Sequence, residues 1–234
     1  MIRDTLPRQR ARETRTKILD AARKLFGDRG FGQATIEDIA SAAGVSNGAL
    51  YHHFASKEEL FRAILTDHIS DQRLEISALV PATSLREVLE RIASYWFEHL
   101  RKDHEDDALF AEFWAQAARD PWARQAMGGF IHDGASLFEN GLRIGQETGL
   151  IRPDVDPAAV ATLMYATMQG FFLLWTVNPA ALDPKTLTRP WVESMERLLA
   201  TDEEADLGQF QERLRSFFDD SAGQSSPDQP KANL

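Results

Sequence analysis

Cysteine is absent from the 234 residues, which excludes a disulfide scaffold, a Cys-ligated zinc or iron–sulfur site and a thiol nucleophile. No apolar stretch follows the charges of MIRDTLPRQR, so a secretory signal is not expected and the cytoplasm is the expected location. Sustained strand-like alternation between turn residues is missing, as is any internal repeat. There is no P-loop, no dinucleotide fingerprint and no G-x-S-x-G elbow. What remains is an ordinary globular composition, 43% hydrophobic and 26% charged, long enough for one large domain or a small domain joined to a larger one.

The net charge of -10 hides an asymmetry. Residues 1–57 hold ten Lys/Arg against six Asp/Glu, and residues 58–234 hold sixteen against thirty. A small cationic module on a large anionic body suits a polyanion reader whose body is repelled by the polyanion. A solvated basic tail would give the same count.

The apolar spacing is helical throughout, so the fold class is all-α. Ile18, Ala22, Leu25 and Phe26 share one face of a first helix, which Gly30 ends with Phe31 folding back. Thr35 with Asp38 and Ser56 with Glu59 have the spacing of capping boxes. Asp120-Pro121, Asp156-Pro157 and Asp183-Pro184 each set a capping aspartate before a proline suited to the first helical turn. These signals predict helices over 14–28, 35–43, 46–53, 56–79, 84–102, 105–118, 121–148, 157–177, 184–200 and 204–219. Residues 220–234 carry too little apolar surface to bury and are expected to be a disordered tail.

Ala158 to Val177 is a run of twenty residues without a charge, long enough to span a bilayer. Its flanks, Asp154, Asp156 and Asp183, show no Lys/Arg asymmetry, and Thr162, Thr167, Gln169, Gly170 and Thr176 lie within it. A helix apolar all round in a soluble protein must be buried on every side, and a dimer interface buries what one subunit cannot. No membrane is therefore expected as a partner. The stripe Leu187, Trp191, Met195 and Leu198 is expected to join residues 157–177 in a homodimer contact with 184–200.

The informative stretch is TIEDIASAAGVSNGALYHHF, residues 35–54, which meets the mechanical needs of a helix-turn-helix. Ile39 and Leu50 face the core, Ala40 is small where the second helix crosses, and Gly44 suits a left-handed turn. Ser46 caps the second helix and is expected among its DNA-binding residues, and the first residues after it, Asn47, Gly48 and Ala49, are small or polar enough to approach base edges. Asn47 can pair with adenine, Ala49 can touch a thymine methyl, and Gly48 permits close approach.

In these residues the chain resembles the tetracycline-repressor (TetR) family of bacterial transcription regulators. The amino-terminal pattern T-x-x-x-I-A-x-x-A-G-V-S-x-G-x-L-Y-x-H-F-x-x-K-x-x-L is matched from Thr35 to Leu60. The resemblance implies that Thr35, Tyr51 and Lys57 hold phosphates while Asn47, Gly48, Ala49 and His52 face bases or the adjoining backbone. Lys57 also follows Ser56 at a helix start, where amide donors already favour an anion. Arg8, Arg10 and Arg12 form a basic arm, read either as a minor-groove contact or as a disordered tail.

The other candidate sites are poorer. His52 and His53 project about 100° apart on a helix and lack a completing carboxylate, so no metal is expected. His132, Asp133 and Ser136 cannot align as a triad from one helix, and neither an enzyme nor a cofactor is expected. Aromatics and polar groups interleaved in the second part suggest a ligand site between helices, with Trp96, His99, Phe113, Trp114 and Gln116 as candidates. Phe130, His132, Gln169 and Phe172 complete that set.

The expected organisation is a DNA-binding domain over 1–54, then a ligand-binding and dimerisation domain over 55–219 that opens with a connecting helix at 56–79. The expected function is a ligand-responsive regulator, a repressor released from a near-palindromic double-stranded DNA operator by a small apolar effector. The rival reading is a dimeric small-molecule carrier or interaction protein that keeps the fold without binding an operator.

Overall fold

The computed structural model describes residues 5–77, 82–102, 104–181, 183–201 and 206–224. Helices α1 (Thr5–Arg29), α2 (Ile36–Ala43), α3 (Asn47–His53), α4 (Lys57–Ser77) and α5 (Leu85–Lys102) come first. They are followed by α6 (His104–Arg119), α7 (Pro121–Glu147), α8 (Pro157–Val177), α9 (Pro184–Leu199) and α10 (Leu207–Gln224), with one short 3-10 turn at Pro179–Ala181. There is no strand among the described residues, as the helical spacing predicts.

Helix α1 starts nine residues before the expected position, at Thr5. Its first turns carry no apolar stripe, which is the signal that spacing reads. They are built instead from good helix formers, with Gln9 donating to Glu13 at 3.0 Å one turn on. Arg8, Arg10 and Arg12 therefore lie in helix, and the Arg8 side chain falls outside the described residues. Helix α10 reaches Gln224, past the expected end at 219, and the rest of the expected tail lies outside the described residues.

The proline-flanked starts cap as expected. Asp120 accepts from the Trp122 amide at 2.9 Å, Asp156 from Ala158 at 3.0 Å and Asp183 from Lys185 at 3.0 Å.

Packing divides the chain into two compact units, Met1–His68 with Lys102–Ile131, and Ile69–Arg101 with His132–Leu234. In the first unit α1 packs on α2 and on α6. Ile18, Phe26, Ile39, Leu50, Phe61 and Phe113 are buried in its core. Phe31 stacks on Trp122 with ring centroids 5.7 Å apart.

The second unit buries Leu89 and Phe97 of α5, Leu137 and Phe138 of α7, Met164 and Tyr165 of α8, and Trp191 and Val192 of α9. Helix α10 lays Phe210, Leu214 and Phe218 on Leu137, Ile144 and Leu150. Gly134 lets the Tyr165 ring reach the α7 backbone, since a Cβ at 134 would stand 2.4 Å from it.

Candidate functional site

The turn before α2 is held from two sides. Gly30 adopts φ +80°, and its amide closes α1 on Phe26 O at 3.0 Å. The Phe31 amide then donates to a Glu112 carboxylate oxygen of α6 at 3.1 Å, and Gln116 donates to the same oxygen at 3.1 Å. On the other side the Lys57 ammonium donates to Phe31 O at 2.6 Å, Ala34 O at 2.9 Å and Gly32 O at 3.4 Å. It also sits 4.5 Å from the Phe31 ring centroid. An ammonium has three hydrogens, and three carbonyls face this one.

The expected capping box opens α2: Thr35 Oγ accepts from the Asp38 amide at 3.1 Å, while Asp38 accepts from the Thr35 hydroxyl at 2.8 Å. The hydrogen bonds from Thr35, with Arg29 3.7 Å away, hold the Asp38 carboxyl below its usual range. Gly44 ends α2 at φ +67°, its amide donating to Ser41 O at 3.1 Å and Val45 to Ala40 O at 3.0 Å. A residue with a Cβ is strained at that φ, which is why glycine stands there.

Ser46 caps α3, its Oγ accepting from the Ala49 amide at 3.1 Å. With Leu50 turned fully inward, α3 presents Asn47, Gly48, Tyr51 and His52 to solvent, and Ala49 is half-buried at their edge. Tyr51 is 51% exposed, unlike the buried Leu50 beside it. His53, next along the helix, is half-buried, and that burial, with His52 and Arg15 nearby, pulls its imidazole pKa down. The eight residues expected to meet DNA thus divide by role. Asn47, Gly48, Ala49, Tyr51 and His52 form one outward patch, Thr35 and Ser46 are caps that begin its two helices, and Lys57 clasps the turn before it.

The nine expected ligand residues divide between the two units. In the first unit Phe113 and Phe130 are core side chains, packed at a tilt against Phe61 and Phe110 respectively. Gln116 is committed to Glu112, and Trp114 is half-buried.

In the second unit Trp96 is buried, with its indole 6.5 Å from the Phe138 ring. Gln169 and Phe172 are half-buried, and His132 is exposed. His99 lies on α5 with its side chain outside the described residues. Ser136 Oγ donates to the His132 carbonyl at 2.8 Å.

Two features of this unit were missed by the sequence reading. Tyr165 is buried against Phe138, and its hydroxyl, like the Trp96 indole N–H, has no hydrogen-bond partner among the described residues. Burial pushes the hydroxyl's pKa up, Gln169 one turn on eases it, and the Asp133 charge adds to the rise. There is also an apolar cavity of about 70 Å³, and of the nine ligand candidates none lines it. Only a mid-helix glycine, Gly141, hints at it in the sequence, because a cavity is made by elements far apart in the chain.

Helix α8 buries Val160, Met164, Tyr165, Met168 and Trp175 on one side and leaves an apolar face on the other. Leu163 is 50% exposed, Leu173 40%, Leu174 57% and Val177 84%. On α9, Trp191 and Met195 are already buried within the chain, and Leu187 and Leu198 are half-buried. The uncovered apolar surface is therefore on α8 rather than on the α9 stripe. The same helix is long and apolar enough to cross a membrane by length and composition.

Comparison with known proteins agrees with this geometry. Residues 18–64 match the family profile described as "Bacterial regulatory proteins, tetR family", and residues 85–200 match "BetI-type transcriptional repressor, C-terminal". The chain is 32% identical over 203 residues to the "Probable HTH-type transcriptional regulator ArpR" of Pseudomonas putida, a match spanning 83% of this chain and 94% of that one. It is 30% identical, over the same shares, to the HTH-type transcriptional regulator TtgR, also of Pseudomonas putida. Among solved structures, Salmonella enterica GusR superposes with a TM-score of 0.67 at 26% identity, covering 80% of this chain and 95% of that one. With the helix-turn-helix geometry, the paired profiles and relatives similar over most of their length, the chain belongs to the TetR family of bacterial regulatory proteins, helix-turn-helix regulators of transcription.

Proposed function

We propose that the chain is a cytoplasmic repressor that occludes a near-palindromic operator as a homodimer and leaves it when a small apolar effector binds. The observation that carries the reading is the outward patch on α3. Four neighbouring exposed side-chain positions, Asn47, Gly48, Tyr51 and His52, sit on a short helix fixed by two caps and a left-handed glycine. Asn47 reads an adenine edge, Gly48 and Ala49 let the helix approach the groove floor, and His52 faces the adjoining bases or backbone. Tyr51 holds a phosphate, and Thr35, whose one hydroxyl hydrogen goes to Asp38, serves DNA through the cap that begins α2. Lys57 serves DNA through the turn it clasps, because its donors already face three carbonyls.

Operator reading is assigned to residues 1–54 and effector binding with dimerisation to 55–219. Helix α6 belongs to the second assignment yet packs on α1 and holds Phe31 through Glu112, which supports a mechanical link from effector to operator. The exposed apolar face of α8 supports a two-fold contact with a second copy, since a soluble chain rarely leaves such a row to water. A two-fold dimer sets its recognition helices on equivalent half-sites, so the operator is near-palindromic.

The test is an electrophoretic shift with the DNA upstream of the chain's own coding sequence. A retarded band lost in Asn47→Ala combined with Tyr51→Ala is expected. Equal retardation of this DNA and of unrelated DNA, unaffected by the two changes, would refute sequence reading by α3.

A further inference from the structure

Three glycines of α7 lie in the second unit's part of that helix, and two are required by close packing. A Cβ at Gly134 would stand 2.4 Å from the Tyr165 ring, and one at Gly145 would stand 2.6 Å from Ile151. Gly141 is different. It lies well inside α7, where glycine is disfavoured relative to alanine, and a Cβ there would meet nothing within 4 Å.

What Gly141 faces is the cavity of about 70 Å³. Its walls include Leu89 of α5, Phe138 of α7, Met164 of α8 and both Phe210 and Phe218 of α10, and every residue lining it is apolar or glycine. Ordered water needs two to four polar partners, and these walls supply no polar side chain. The cavity has roughly half the volume of the ~150 Å³ hydrocarbon-lined cavity that stays dry and takes up benzene. A whole ligand does not fit in that space, but a short alkyl end does. A charged end is excluded, because nothing lining the cavity could pair it.

We propose that this cavity, walled on one side by α10 and left unfilled by Gly141, is a binding site for the terminal alkyl group, of about three carbons, of an uncharged small molecule. The proposal rests on reading the second unit as the effector-binding part, and it names the chemistry that part accepts. Helix α10 supplies one wall of the site through Phe210 and Phe218.

The test uses the full chain and the straight 1-alkanols from ethanol to heptanol, read by thermal shift and by tryptophan emission. Affinity should rise about fourfold per methylene until the cavity is full and then level off. Gly141→Leu, which fills the space, should bind none of the series while melting no lower than the parent. Gly141→Ala should reach its plateau one carbon earlier, and this variant carries the test if the leucine variant fails to fold. An unchanged series in Gly141→Ala overturns the proposal, as does one retained by a folded Gly141→Leu. No saturable binding by the parent, with a more stable Gly141→Leu, would make the space a packing void and also overturn it. Operator binding measured without alkanol separates the two claims. If it persists while the alkanol series fails, only the cavity assignment falls, and if it fails while the series holds, only the regulator reading falls.

Discussion

The recognition turn around Gly44 and the outer face of α8 are both exposed, yet they are built on opposite principles. Around Gly44 the caps and the turn amides have local partners: Thr35 with Asp38, Ser46 with Ala49, and Gly44 with Ser41. On α8 the exposed Leu163, Leu173, Leu174 and Val177 have only water to meet within the chain. The first surface is rigid, polar and complete, suited to a rigid polyanion. The second is apolar and lacks a cover, suited to a second copy of itself. Surfaces that read DNA must be finished in advance, because base contacts tolerate little misplacement, whereas a dimer face is finished by its partner.

The sharpest way to break this comparison is to charge the α8 face. Leu163→Glu with Leu174→Glu should leave the chain monomeric by sedimentation equilibrium and weaken operator binding at least a hundredfold, since single half-sites lose the second set of contacts. A dimer that survives both changes would show that α8 is not the interface.

The next effect is on the turn. Gly44→Val forces a branched residue to φ +67° and should lower unfolding free energy by about 1–2 kcal/mol in a denaturant titration, with operator affinity falling alongside. No change in midpoint would mean that the turn adopts another conformation in solution.

Lys57→Ala should remove a charge-assisted clasp worth about 1.5–3 kcal/mol when buried, and less here because the side chain is half-exposed. The account expects lower stability with the salt slope of DNA binding unchanged. A slope reduced by about 0.9 would restore Lys57 to a phosphate. On the neighbouring face Tyr51→Ala should weaken all DNA sequences alike, whereas Asn47→Ala should relax preference at one base by about 1–3 kcal/mol.

The smallest effects are those of pH. Hydrogen bonds from Thr83 first, then from Arg91, hold the Glu87 carboxyl down to about 2. A depressed carboxylate stabilises fully above its unfolded value and loses that contribution as pH falls through its folded value, here from about 4.5 to about 2. Glu87→Gln should therefore lower stability at neutral pH, flatten the stability profile between about 4.5 and about 2, and match the parent at still lower pH. The lowered His53 follows the same direction: its neutral form is favoured by folding, so its contribution fades as pH drops below the ordinary imidazole value.

The two regions also differ in how much the sequence told. Thr35, Asp38, Gly44 and Ser46 were legible because a cap or a left-handed turn needs partners only three or four residues away. The proline-flanked starts at Asp120, Asp156 and Asp183 were legible for the same reason. The early start of α1 was not, because spacing detects apolar faces and this segment has none. The resemblance, with the place at a helix start, gives Lys57 an anion, and the three carbonyls around it are a partner set that only the fold shows, since Phe31 and Ala34 lie more than twenty residues away.

In the second unit an aromatic at helical spacing looks the same in sequence whether it fills a core, as Phe138 does, or faces a ligand. Tyr165 and the Gly141 cavity are products of tertiary packing. The Leu187, Trp191, Met195 and Leu198 stripe was a sound amphipathic signal, but it cannot say which buried face belongs to the chain and which to a partner.

Selection from a random double-stranded DNA library tests the central claim most directly, because it asks whether the α3 patch reads sequence and whether two copies do so together. Two inverted copies of one short half-site should be enriched, their centres about one helical turn, ~34 Å, or a multiple of it apart. Two protomers or more should bind per site. Enrichment of a single unrepeated motif bound by one protomer, or none over the starting library, would contradict it.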